Sequence, residues 1–133
     1  MTKIVLTLIC IFTLAACTTY FTLSDSNNMQ RDMTVEEVAS KVSEAPVKEF
    51  DITIYSAPSK KYFVQVYDIY TGSYNSDYFA VYENGKLLYW GYLYEFKRHS
   101  DAILNEIGKT VLAEYENIKK TPPKRRDRKK INK

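Results

Sequence analysis

Along residues 50–55 apolar and polar side chains alternate one for one: Phe50, Ile52 and Ile54 stand between Asp51, Thr53 and Tyr55, the spacing of a half-buried strand. Residues 62–70 predict a second strand, apolar on both faces except for Gln65 and Asp68. A polar loop over residues 71–77 leads to two further runs, residues 78–83 and 86–94, on either side of Asn84-Gly85, the pair favoured in a two-residue type I′ hairpin. That turn predicts a register. Glu83 opposes Lys86, Val81 opposes Leu88 and Phe79 opposes Trp90 on one face, while Tyr82 with Leu87, Ala80 with Tyr89 and Tyr78 with Gly91 occupy the other.

The spacing changes on either side of these strands. Thr34-Val35-Glu36-Glu37 is a capping box, in which the Thr34 hydroxyl accepts from the Glu37 N–H and the Glu37 carboxylate reaches back. Met33 and Val38 stand at the positions of a hydrophobic staple, and Val35, Val38, Ala39 and Val42 make a stripe that Pro46 closes near Glu44. A second stripe, Ile103, Leu104, Ile107, Val111, Leu112, Tyr115 and Ile118, predicts a longer helix capped by Ser100 or Asp101 and stopped by Pro122-Pro123. Gly108 inside it costs up to ~1 kcal/mol relative to Ala, which suggests a close approach to the sheet. The expectation is an α+β domain over residues 33–120: a short N-terminal helix, a four-stranded antiparallel meander, and a longer C-terminal helix on one sheet face.

The first residues have another pattern. Lys3 precedes an apolar run over residues 4–14, and Ala15-Ala16-Cys17 follows. A positive charge, a short apolar stretch and a small-residue cleavage site match an export signal, and the run is shorter than the roughly 20 residues a membrane span needs. Leu14-Ala15-Ala16-Cys17 resembles the lipobox of bacterial lipoproteins, which implies lipid on the Cys17 thiol, cleavage before it, and residues 1–16 as signal peptide. Cys10 leaves with the signal, so the mature chain keeps one thiol and no internal disulfide. Thr18 is not the Asp that favours inner-membrane retention, so the resemblance implies the outer membrane. Residues 17–32, with their Thr, Ser, Asn and Asp, are read as the lipidated Cys and a flexible tether.

Residues 33–38, with Pro46 ending the helix, are also similar to the start of the SmpA/OmlA-like small outer-membrane lipoproteins. That resemblance covers the signal and residues 31–90. It implies a small antiparallel sheet behind the helix and a part in assembling β-barrel proteins. Asp32 stands where that family has a glycine, the Gly before the proline is absent, and the long last helix and basic tail are extra.

Composition sharpens the picture in two places. With 12 Tyr, 6 Phe and one Trp, the sheet has surfaces apolar in body and polar at the tip. If one helix covers the Phe79 face, then Tyr78, Tyr82 and Tyr89 lie on the other, either as a surface for protein or sugar rings or as core beneath the N-terminal helix. The formal charge of +3 hides a segregation. Residues 121–133 carry seven Lys/Arg against Asp127, and residues 17–120 hold 11 basic and 15 acidic side chains. Lys124, Arg125, Arg126, Arg128, Lys129 and Lys130 thus form a basic, disordered tail, a candidate for anionic lipid or another acidic envelope partner; export argues against nucleic acid.

Chemistry is sparse. His99 is the only histidine, which excludes metal sites needing two imidazoles, and His99-Ser100-Asp101 are neighbours that cannot face one another as a triad must. Asp68, Asn75, Ser76 and Asp77 fit no calcium loop. No catalytic, cofactor or metal residues are expected. The reading is a non-enzymatic envelope lipoprotein, an interaction or assembly module at the periplasmic side of the outer membrane. The alternative is a ligand-binding or inhibitor lipoprotein that recognises a glycan or a hydrolase through a Tyr-rich sheet face.

Overall fold

The strand runs carry apolar side chains on both faces in their middle, so the sheet they build needs two covers rather than one. In the computed structural model, which describes residues 20–56 and 58–120, strands β1 (Lys48–Ile54), β2 (Lys60–Tyr70), β3 (Asn75–Glu83) and β4 (Lys86–Gly91) form one antiparallel sheet in the order β1-β2-β3-β4. Among the described residues, helices α1 (Leu23–Asn28) and α2 (Val35–Lys41) precede the sheet, and α3 (Leu93–Lys97) and α4 (Ala102–Lys120) follow it. The fold is α+β, with the meander and the long last helix that periodicity predicts.

Helix α4 covers one face. Asp101 starts it, with Oδ1 accepting from the N–H groups of Ile103 at 2.9 Å and Leu104 at 3.1 Å. Its Ile107, Val111 and Tyr115 pack with Phe96 of α3 onto Ile52, Tyr62, Val64, Val66, Phe79 and Val81. Full burial of such side chains is worth roughly 1.5–3 kcal/mol each. Gly108 serves a close approach, but to α3 and not to the sheet. A Cβ there would lie 2.7 Å from Phe96 Cβ and 3.0 Å from the Lys97 nitrogen.

The chain before residue 33 covers the other face, which corrects the tether expected over residues 17–32 for its part from Tyr20 onward. Phe21 is fully buried, bridges Ile69 in parallel, and stacks on Tyr67 at 4.5 Å. Thr22 and Asp25 then form a capping box that opens α1, with Thr22 N–H on Asp25 Oδ2 at 2.9 Å. Two of the polar residues that suggested solvent, Asp25 and Ser26, are buried and satisfied internally. Asp25 Oδ1 accepts from Ser43 at 2.9 Å, and Ser26 carbonyl accepts from Trp90 Nε1 at 3.1 Å. The strap ends on β4, where Asp32 N–H donates to Leu87 O and Leu87 N–H to Met33 O, both at 2.8 Å. Thr34 and Glu37 make the predicted capping box of α2, and Val38 joins Met29, Phe21, Tyr67, Ile69 and Leu87 in the second core.

The hairpin turn is as predicted, with Asn84 at φ +51° and Gly85 at φ +75°. Its register holds at Glu83/Lys86 and Tyr82/Leu87 and then breaks. A bulge at Val81/Tyr82 lets β4 slip by one residue, so that Val81 opposes Tyr89, Ala80 opposes Trp90 and Phe79 opposes Gly91. One extra residue inverts every later side chain. Tyr89 therefore joins the α4 side, and Trp90 the strap side. The predicted strand to residue 94 stops at Gly91, because Glu95 Oε2 accepts the Tyr92 N–H at 2.7 Å and turns the chain into α3.

Candidate functional site

A cleft of about 500 Å³ lies beside β4. Leu88, Tyr89 and Tyr62 line it from the sheet, and Ile103 and Leu104 from the first turn of α4. The bulge puts Leu88 and Tyr89 side by side there, and Ile103, the first residue of the α4 stripe, stays half exposed above them. The rim is charged. Lys60 and Glu83 pair at 2.9 Å, and Arg31, His99 and Asp101 stand around the mouth. β4 is an edge strand, and among the described residues its outer side is paired only by the strap, at Lys86 and Leu87. The cleft thus runs along a stretch of backbone that no described strand covers.

His99 lies edge-on to Tyr89 at 5.1 Å, and its Nδ1 accepts the Asp101 N–H at 3.0 Å. With Asp101 Oδ1 occupied by the helix cap, these two side chains hold the start of α4 and do not face one another as a relay. Asn75 Nδ2 donates to Asp68 Oδ2 at 2.8 Å, which pins the loop between β2 and β3. Among the described residues, no group of three His, Cys, Asp or Glu side chains is arranged to hold a metal.

The three tyrosines expected to share a face do not form a surface. Tyr78 and Tyr82 are 6% and 1% exposed beneath the strap, and Tyr89 lies across the sheet. On the strap side, Gln65 organises a buried network. Its Oε1 accepts from Tyr67 at 3.0 Å and Tyr82 at 2.8 Å, and its Nε2 donates to Glu49 at 2.9 Å. Burial pushes the Tyr67 hydroxyl up to about 12, with Glu49 adding to it. The Tyr82 hydroxyl is raised further, by burial first and then by Tyr67 and Glu49. These groups specify the core.

The exposed aromatics are others, which alternation alone did not single out; one, Tyr55, lies in the turn between β1 and β2, and four lie at the opposite end. Tyr20, Tyr70, Tyr74 and Tyr94 stand at the end of the sheet where β2 leaves, β3 begins and β4 stops. Tyr20 and Tyr70 rings lie 5.3 Å apart, and Tyr92 stacks on Tyr94 at 5.6 Å. A usable signal was present: residues 18–24, 69–76 and 87–94 contain no Asp, Glu, Lys or Arg. Cys17 and the tail cations Lys124, Arg125, Arg126, Arg128, Lys129 and Lys130 lie outside the described residues. Compared with protein-family models, curated proteins and solved structures, the chain matches none.

Proposed function

We propose that this chain is a lipid-anchored protein of the bacterial envelope, at the periplasmic side of the outer membrane, that works by gripping another protein rather than by catalysis. The lipobox-like Leu14-Ala15-Ala16-Cys17 supports the anchor. One observation carries the gripping: beyond Leu87 no described residue pairs with the outer edge of β4, which runs along an apolar cleft with a charged rim. An extended segment of a partner adds to such an edge through main-chain hydrogen bonds and places alternate side chains in the pocket. The chain's own strap already bonds Leu87 in this way. Leu88, Tyr89 and Ile103 would hold an apolar side chain of the partner, and Lys60, Glu83 and Asp101 would select its flanking charges. The glycan or hydrolase alternative relied on Tyr78, Tyr82 and Tyr89 as one open face, and those side chains do not supply it.

The test is a photo-crosslinking amino acid placed at Ile103, with Tyr55, 85% exposed outside the cleft, as the control site. A partner protein captured from intact envelopes at 103 and not at 55, and lost when Leu88→Glu is added, is the expected result. Equal capture at both positions overturns the cleft. In the same cells Cys17→Ser should release the protein from the membrane fraction, and retention would overturn the anchor.

A further inference from the structure

The first described residue, Tyr20, lies close in sequence to Cys17, the proposed site of the lipid. Tyr20 is three peptide units after Cys17, and three units span at most about 11 Å when fully extended. The interfacial layer of one leaflet is itself about 5–8 Å thick, half the difference between the whole bilayer and its hydrocarbon core. A lipid on Cys17 therefore holds the Tyr20 backbone at most about 6 Å outside the interfacial layer, within reach of its own side chain.

That end has the chemistry the interfacial layer accepts. Tyr20, Leu23, Tyr70, Tyr74 and Tyr94 are all exposed there, Tyr74 at 64% and Tyr94 at 57%. Tyrosine suits the boundary because its ring is apolar and its hydroxyl stays hydrated, and it is enriched where proteins cross the headgroup layer. The three runs that bring these side chains together, residues 18–24, 69–76 and 87–94, carry no ionised side chain of their own, although Asp68, Asp77 and Glu95 border them. The last helix also runs toward this end. Its start lies by the opposite turns, where Ser56 Oγ donates to Glu106 at 3.3 Å, and its last turn ties Lys119 to Asp77 at 3.3 Å near the beginning of β3. The described chain therefore ends, at Lys120, on the tyrosine side, and seven cations follow it in sequence.

We propose that the tyrosine end is a membrane-seating surface: Tyr20, Leu23, Tyr70, Tyr74 and Tyr94 rest in the headgroup layer of the phospholipid leaflet that holds the Cys17 lipid. This rests on the anchor proposed above. It fixes the orientation of the domain, with the cleft and the Asn84-Gly85 turn toward the aqueous side.

Spin-label depth measurements on the full lipidated chain test it. The protein is reconstituted in vesicles of phosphatidylethanolamine and phosphatidylglycerol. A label at Ser73→Cys, between the exposed tyrosines, is compared with one at Ser59→Cys, in the turn at the opposite end. The label at 73 should collide with a water-soluble relaxant several-fold less often than the label at 59, and Tyr74→Ser/Tyr94→Ser should remove most of that contrast. Equal accessibility at the two sites in a chain shown by mass spectrometry to carry lipid on Cys17 overturns the seating and leaves the anchor standing. A contrast that survives the double substitution overturns the role of the rings. A chain with an unmodified Cys17 overturns the anchor and the seating together.

Discussion

Single residues carry more of this fold than their chemistry suggests. Asp32 sits at φ +69°, a region that costs an L-residue roughly 1–2 kcal/mol and glycine almost nothing. The strap needs it, since Asp32 donates to Leu87 O as the chain turns into α2. Gly108 is constrained by space instead. Gly108→Ala improves intrinsic helix propensity by up to ~1 kcal/mol, yet its methyl would press on Phe96 Cβ and the Lys97 backbone, so a net loss of about 1–3 kcal/mol is expected. Chemical denaturation of the variant checks this, and a gain in stability would mean that α3 yields. The buried tyrosines set an alkaline limit. A folded Tyr67 pKa raised to about 12 means that the unfolded chain loses that proton first, near pH 10, so the stabilising contribution is complete below pH 10 and is lost as pH rises through 12. Tyr78 and Tyr82, also raised by burial, act in the same direction. The melting temperature should fall steadily between pH 10 and 12, and a flat profile there would contradict the Gln65 network.

At the level of elements, the strap outweighs its length. Phe21 fills the second core against Tyr67, Tyr78 and Ile69, so Phe21→Ala should cost about 3–5 kcal/mol, whereas a tether residue would cost nothing measurable. Thermal melts of the variant decide between the two. What was legible in the sequence follows the same division. The capping box at Thr34, the Asn84-Gly85 turn and the two periodicities are local signals, and they specify local structure. The strap was illegible because its apolar residues, Phe21 and Met29, are far apart, and its polar ones satisfy each other only after folding, through Ser43 and Trp90. Tyr78 and Tyr82 are buried by that strap, whereas Tyr89 left their face for another reason. A bulge is a single extra residue, and alternation on each side of it stays intact while its phase inverts. The cleft lined by Leu88 and Tyr89 exists because of that inversion.

Across the whole molecule, positive charge is concentrated at one end of the sequence, with seven Lys/Arg in residues 121–133. Deleting residues 124–133 should leave the melting curve of the domain unchanged, since only Ile131 among the removed side chains is apolar. It should also weaken binding to phosphatidylglycerol vesicles of a form prepared without the lipid. Screening with a Debye length of about 8 Å at physiological salt means that most of the difference should vanish at high salt. Equal vesicle binding by the two forms at low salt would show the tail to be inert. The contact between Trp90 and the strap gives the molecule an optical property. Trp90 is the one tryptophan in the chain, and its indole N–H is held by the Ser26 carbonyl of α1. Indole emission moves to longer wavelength when water can relax around the excited ring. The native fluorescence of the chain therefore reports whether its first dozen folded residues are in place, without a label, in the membrane as well as in solution.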